Sequence, residues 1–128
     1  MIRQREEMVR TWFDMWMADD VSPLSAIFAE EIVYDEYHGR QFQGLAAVKR
    51  WFREWHDCNR VLEWKAESFI HDTDRTVAEW YLEGEDGAGG HHRLDGVYLI
   101  EWDEDGRISV LKEFVANFPM VHAYEDET

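Results

Sequence analysis

The sequence has one cysteine, few basic residues and no long apolar run. Cys58 cannot form a disulfide within the chain, so a cytoplasmic location is the default expectation. No apolar run approaches the length of a membrane span, and the first residues, "MIRQREEM", lack the apolar segment of a secretory signal. The 13 Lys and Arg residues against 28 Asp and Glu give a net charge of −15, with no basic stripe. Such a chain repels nucleic-acid phosphates and anionic membranes, so neither is an expected partner.

Motifs for metals, phosphates and thiol chemistry are also missing. His91 and His92 are adjacent and cannot both point to one side of a strand, and "HDC" at 56–58 does not have a metal-ligand spacing. The "GAGG" stretch lies between two predicted strands rather than before a helix, so it is not a phosphate-binding loop. Cys58 has no nucleophile motif around it. The sequence therefore predicts no metal and no cofactor.

The sequence is, in contrast, rich in aromatic residues. Hydrophobic residues make up 45% of the 128 residues and aromatic residues 15%, including seven tryptophans. This composition excludes a disordered chain, and the length predicts one domain with a sizeable core. We expect the domain to span residues 1–128, with a core over about 4–118 and a frayed acidic tail at 120–128.

Hydrophobic periodicity separates a helical first half from a strand-rich second half. Apolar residues recur at helical spacing from Val9 to Trp16, which predicts a helix over 4–19. Pro23 starts a short second helix, a strand follows over "IVYDEY", and Gly44 opens a third helix. Turn sequences such as "DTDR" and "DEDG" then separate four predicted strands, at 61–70, 76–85, 93–102 and 107–118.

This order of elements predicts an α+β domain. Strands joined by hairpins form a curved antiparallel sheet, and helices pack on its concave face. Helices that cover only part of a curved sheet leave a blind, cone-shaped pocket of the kind that binds small molecules. The outer face of the last two strands is also apolar, since it carries Val97, Leu99, Val110 and Phe114. That second apolar face requires a partner of its own.

Four segments carry a resemblance to a known group of proteins. They are "MADDVSPLSAIFAEEIVYDE", "FQGLAAVKRWF", "VAEWYLEG" and "DGVYLIEWDEDGRISVLKEF". In this order they resemble the nuclear transport factor 2-like superfamily, in particular its SnoaL-like and ketosteroid-isomerase-like branch, over roughly residues 4–118. The resemblance implies the cone-shaped fold and a homodimer formed through the outer face of the sheet. The superfamily includes isomerases, cyclases, dehydratases, hydrolases and binding modules, so the fold alone does not decide the activity.

The resemblance also implies which residues of the last strand face the pocket. Counted from the "DEDG" turn, the inward positions are Leu111, Glu113, Val115 and Asn117. Lys112 then points outward. Glu113 is either a structural carboxylate that bonds a Trp N–H or a Tyr hydroxyl, or a general base whose pKa is raised by burial.

A second carboxylate is expected at the end of the first strand, where the isomerase branch has its catalytic base. Alignment from "FAEE" places Glu36 there, and alignment backward from Gly44 places Asp35 there instead. Glu36 shares a face with Tyr34, which favours Glu36 as the inward residue. The alternative is an exposed carboxylate at a strand end.

The sequence departs from the oxyanion hole of the isomerase branch, which consists of a Tyr and a protonated Asp. Trp12 stands at the Tyr position and Tyr98 at the Asp position. Both can donate hydrogen bonds, but an indole and a phenol do not reproduce the Tyr and protonated Asp of that oxyanion hole. Steroid isomerase activity is therefore not expected. The candidate substrate-binding residues are Tyr34, Trp80, Tyr98, Trp12, Trp102 and Asn117, and for each tryptophan a plain core role is the alternative.

Two functions are compatible with these residues. The first is a small enzyme that acts on an apolar or aromatic small molecule by cofactor-free acid–base chemistry of the isomerase, cyclase, dehydratase or hydrolase type. Glu113 or Glu36 would accept the proton in that reaction. The second is a non-catalytic ligand-binding or dimerisation module of the same fold.

Overall fold

The computed structural model describes residues 1–36 and 39–117. Within these ranges the helices are α1 (Ile2–Ala18), α2 (Leu24–Ile27) and α3 (Leu45–Cys58). The strands are β1 (Phe28–Glu36), β2 (Arg40–Gln43), β3 (Arg60–Asp72), β4 (Arg75–Glu85), β5 (His91–Trp102) and β6 (Ile108–Asn117). In this part of the chain, no helix combines the length and the apolar character that crossing a membrane requires.

The helices form where the sequence pattern predicts them. The buried stripe of α1 includes Val9, Trp12 and Trp16, and the helix ends at Asp19, whose backbone is left-handed with φ 53°. Gly44 caps the start of α3 with φ 89°, a conformation that favours glycine. Its N–H donates to the carbonyl of Ile32 at 2.7 Å, which ties the start of α3 to β1.

The sheet has six strands in the order β2-β1-β6-β5-β4-β3. All neighbouring strands are antiparallel except β1 and β6, which are parallel. The expectation of an antiparallel sheet is therefore corrected to a mixed one. β2 was not predicted, because "RQFQ" contains only one apolar residue and shows no strand pattern without its partner.

The sheet curves without closing, and the helices lie against its inner face. Register shifts interrupt β3 at Val61/Glu63 and Ala66/Ser68, and such bulges bend and twist a strand. The core between the layers is strongly aromatic, and its fully buried side chains include Trp12, Trp80, Tyr34 and Tyr98. The arrangement confirms the predicted α+β cone. The acidic tail at 120–128 and the predicted stop of the last strand at Pro119 lie outside the described residues.

Candidate functional site

A cavity of about 360 Å³ lies between the helices and the inner face of the sheet. Val61, Leu82, Leu94 and Val115 form its aliphatic wall, and its charged lining residues are Glu36 and Glu113. Five of the seven tryptophans of the chain line it: Trp16, Trp51, Trp55, Trp64 and Trp80. We call this space the tryptophan cavity. Four other depressions on the described surface are more open to solvent.

The tryptophans form a continuous, mutually inclined wall. The ring centroid of Trp16 lies 5.0 Å from that of Trp51, 5.1 Å from that of Trp55 and 5.9 Å from that of Trp64. Trp64 in turn lies 5.4 Å from Trp80 at an interplanar angle of 68°. Edge-to-face pairs of this kind stabilise aromatic clusters beyond the effect of area burial. The wall therefore joins α1, α3, β3 and β4 into one surface.

Two carboxyl groups stand side by side on the sheet wall of the cavity. Glu36 of β1 and Glu113 of β6 are register partners across the parallel pair, so their side chains point the same way from strands about 4.8 Å apart. Both are buried, with 8% of Glu36 and 6% of Glu113 exposed. Glu36 also accepts a hydrogen bond from Nε of Arg40 at 3.1 Å, in an ion pair at the rim.

A chain of hydrogen bonds leads from α1 through the sheet to Glu113. The indole N–H of Trp12 donates to the Tyr98 hydroxyl at 3.1 Å, and the Tyr34 hydroxyl donates to Oε2 of Glu113 at 3.1 Å. The two hydroxyls are 3.0 Å apart. Since the only hydroxyl proton of Tyr34 goes to Glu113, Tyr98 donates to Tyr34. Every member thus has a partner, and the chain fixes the orientation of the Glu113 carboxyl.

The environment of Glu113 favours its protonated form. Its pKa is raised to about 8, first because burial disfavours the carboxylate and second because the charge of Glu36 repels it. The hydrogen bond that Tyr34 donates acts in the opposite direction. Burial also raises the pKa of both tyrosines well above its ordinary value, so both keep their protons. Glu113 therefore carries a proton at neutral pH.

The structure brings some of the predicted site residues together and separates others. Glu36, Glu113 and Trp80 line the tryptophan cavity. Tyr34, Tyr98 and Trp12 lie behind its wall, fully buried. Trp102 shares the inward face of β5 but lies away from the cavity, where its N–H donates to Oγ1 of Thr76 at 2.8 Å. The side chain of Asn117 lies outside the described part of the chain.

Asp35 and Lys112 lie on the face of the sheet opposite the carboxyl pair. Asp35 accepts a hydrogen bond from the Gln41 side chain, and it pairs in register with Lys112 as Glu36 does with Glu113. Lys112 is half-buried. Of the two neighbouring charges in "VLKEF", Glu113 is thus the one that reaches the cavity.

We expect Lys112→Gln to change the free energy of unfolding by less than about 0.5 kcal/mol, with little dependence on pH. The stem of this lysine can lie along the outer face while its ammonium group reaches water, so the substitution strands no buried partner. Urea denaturation monitored by tryptophan fluorescence measures the change. A loss of more than about 1 kcal/mol would contradict the outward position of this side chain.

Trp64 is one of several cavity residues that were not among the predicted site residues. Strict alternation along β3 separates inward from outward residues, but Val61 and Trp64 are both buried although they are three positions apart. The register shift between Val61 and Glu63 accounts for this change of face. A bulge has no clear signal in "VLEWKAE", so alternation alone could not assign the tryptophan to the cavity.

The described residues contain no group of three or more His, Cys, Asp or Glu side chains placed to hold a metal ion. The polar groups of the cavity are instead a pair of carboxyls. Two carboxyl groups, one of which holds a proton at neutral pH, can give and accept protons in an apolar space.

Comparisons with known proteins give one sequence family and one fold. Residues 9–111 match the model of the SnoaL-like domain. No curated protein matches the chain in sequence. Several solved structures share its fold at low identity, so they are informative about the fold alone.

Three of these structures show the different kinds of protein that have this fold. A candidate isomerase from Bacillus subtilis has a TM-score of 0.78 at 17% identity, with 88% of this chain and 87% of that chain covered. An LEH-like epoxide hydrolase from M. tuberculosis has a TM-score of 0.77 at 15% identity, with 89% and 84% covered. A protein with a ketosteroid isomerase-like fold from Catenulispora acidiphila, in complex with trimethylamine, has a TM-score of 0.74 at 17% identity, with 84% of each chain covered.

Proposed function

Because the chain belongs to the SnoaL-like domain family, we propose that the tryptophan cavity is a small-molecule site in which Glu113 and Glu36 transfer protons to and from the ligand. One observation carries this proposal: two carboxyl groups from adjacent strands meet in a largely apolar cavity. Apolar burial brings a carboxyl pKa close to neutral pH, where proton transfer in both directions is efficient.

The two carboxyls have different roles in this proposal. Glu113 starts with a proton at neutral pH and acts as the general acid, and its ionised form acts as a base. Glu36, which is ion-paired with Arg40, supplies the carboxylate that accepts a proton. The hydrogen bond from Tyr34 keeps Glu113 in place, and Trp80 forms part of the surface that orients an apolar ligand. Solved structures of the same fold include an epoxide hydrolase and a trimethylamine complex, which agrees with small-molecule chemistry.

A base-dependent probe reaction tests the proposal without knowledge of the natural substrate. In 5-nitrobenzisoxazole a base removes the ring C–H proton, the N–O bond breaks, and a coloured nitrophenolate forms. We expect the protein to accelerate this reaction with a rate that rises with pH around 8, the pKa of Glu113. Glu113→Gln should abolish the part of the acceleration that rises with pH around 8, and Glu31→Gln, at an exposed position of β1, should retain it. Equal rates for the wild type and Glu113→Gln would contradict the assigned role.

Ligand binding without chemistry is the second candidate, and one observation favours it. Trp12 and Tyr98, at the positions of the oxyanion hole in the isomerase branch, are fully buried and donate within the protein. They are therefore not directed at a bound carbonyl oxygen. A protein that binds the probe but does not accelerate its cleavage would support this candidate over the enzyme.

We also propose that the protein forms a homodimer through the apolar outer face of its sheet. Val97 and Phe114 are cross-strand partners on this face, and 44% of Phe114 is exposed. Phe114→Asp is expected to give monomers, because a charge at this position opposes apolar contact between two copies. Ile2→Asp is the matched control, since Ile2 is 54% exposed on α1, away from the outer face of the sheet. Size-exclusion chromatography with light scattering measures the mass, and a monomeric wild type would contradict the dimer.

A further inference from the structure

The charged side chains of the tryptophan cavity have one sign. Its lining includes Glu36 and Glu113 but no Lys, Arg or His among the described residues. Arg40 reaches Glu36 from the rim, where 62% of its side chain is exposed, and it does not line the cavity. The field of the whole chain, with a net charge of −15, has the same sign. A bound anion would therefore be repelled, whereas a cation would be attracted.

The tryptophans present aromatic carbon rather than hydrogen-bond donors to this space. The indole nitrogens of Trp16, Trp51, Trp64 and Trp80 are buried and have no hydrogen-bond partner among the described residues. An atom without accessible surface cannot reach a ligand, so these four residues line the cavity through their ring carbons. A ligand that needs several donors, such as a carboxylate or a phosphate, finds few of them here.

We propose that the ligand of the tryptophan cavity is an organic cation, namely a tertiary or quaternary ammonium group with small apolar substituents, and this inference rests on the proposed ligand site. Five tryptophans and two carboxyl groups around one space make the combination that stabilises such a group. The negative faces of aromatic rings attract a desolvated cation, tryptophan most strongly, and the apolar substituents bury against ring carbon.

A neutral ligand would bind in this cavity less tightly than a cation. It would add no counter charge to Glu36 beyond that of Arg40 at the rim and none to an ionised Glu113, and Coulomb interactions are strong where water is excluded. An ammonium group offsets the charge of Glu36 and that of an ionised Glu113 at the same time. Its binding therefore favours loss of the Glu113 proton, so the cation and the proton compete.

Two probes of the same shape separate charge from apolar burial. Choline and 3,3-dimethylbutan-1-ol differ only in a positively charged nitrogen replaced by a carbon. We expect choline to bind about tenfold or more tightly than the alcohol, measured by isothermal titration calorimetry of the full chain. Trp55→Leu should reduce the affinity for choline, whereas Phe69→Leu, at an aromatic residue outside the cavity, should not.

The pH dependence of the two probes gives a second readout. The charged and titratable groups that face Glu113 are Glu36 and Tyr34 on β1 and Tyr98 on β5, with Arg40 behind Glu36. Burial and the charge of Glu36 raise the pKa of Glu113 to about 8. The affinity for choline should therefore rise as pH increases through this range, and the alcohol should show no such rise. Glu113→Gln should remove the pH dependence for choline.

The outcomes decide between the inference and the function on which it rests. Equal or tighter binding of the alcohol, or no binding of choline, would contradict the inference that the ligand is an organic cation. If Glu113-dependent cleavage of the benzisoxazole persists in that case, the proposed acid–base function stands and only the ligand class is wrong. If that cleavage is also absent, both proposals are contradicted.

Discussion

Glu113→Gln is expected to stabilise the protein in alkaline solution and to leave its stability nearly unchanged in acid. The pKa of Glu113 is about 8 in the folded protein against an ordinary value of 4.5. The folded state therefore binds this proton more tightly than the unfolded chain does. As pH rises from 4.5 to about 8, the wild type loses stability, and the loss is complete above that range. Glutamine is neutral at every pH, so the variant avoids the loss.

The expected difference between the two proteins is on the order of a few kcal/mol at about pH 9, because each unit of pKa difference corresponds to about 1.4 kcal/mol. Urea denaturation at a series of pH values measures it. Acidic groups that do not interact with Glu113 affect the wild type and the variant alike, so their difference reports on Glu113 and its repulsion by Glu36. Glu31→Gln is the control, and its effect should be small and independent of pH. Parallel stability curves for the wild type and Glu113→Gln would contradict the raised pKa.

Gly96→Ala is expected to cause a loss of stability of about 1–3 kcal/mol or more, because it overpacks a closed site. Gly96 is the cross-strand partner of Trp80, and a Cβ atom added to it would overlap the six-membered ring of the indole. Trp80 is 1% exposed and is held between Trp64 and Tyr98, with centroid distances of 5.4 and 5.6 Å. The ring therefore has no space into which it can move without disturbing the wall of the cavity.

A double-mutant cycle with Trp80→Ala tests the cause of that loss. If the methyl group is damaging because it meets the indole, Gly96→Ala should cost little in the Trp80→Ala background. The free energies of unfolding of the four proteins, measured by urea denaturation, give the coupling between the two positions. Additive effects would show that the glycine is needed for another reason, and they would contradict the close packing of Trp80 on β5.

Local alternation predicts which residues of the last strand share a face, and the family resemblance implies that this face is the inward one. A count from the "DEDG" turn places Leu111, Glu113 and Val115 on one face, and the structure agrees: Leu111 and Glu113 are buried, and Val115 lines the cavity. The start of α3 at Gly44 is similarly local, since it depends on one glycine and the apolar stripe that follows it. Both features are encoded within about ten residues of chain.

The pairing of Glu36 with Glu113 could not be predicted in the same way. It depends on the parallel contact between β1 and β6, whose register is set by strands far apart in sequence. β2 is similar, because its backbone hydrogen bonds with β1 stabilise a segment that has little hydrophobic pattern. Alternation also gives the face of a residue but not its depth. Trp102 and Tyr98 share a face of β5, yet Trp102 bonds Thr76 away from the cavity while Tyr98 lies behind its wall.

The protonation of Glu113 is the claim on which the acid–base account depends, and carbon-13 NMR measures it directly. Glutamate labelled at the side-chain carboxyl carbon gives one signal per residue, and the signal missing from the Glu113→Gln spectrum belongs to Glu113. We expect this signal to titrate with a midpoint near 8. A midpoint near 4.5, the ordinary value for a glutamate, would contradict the account.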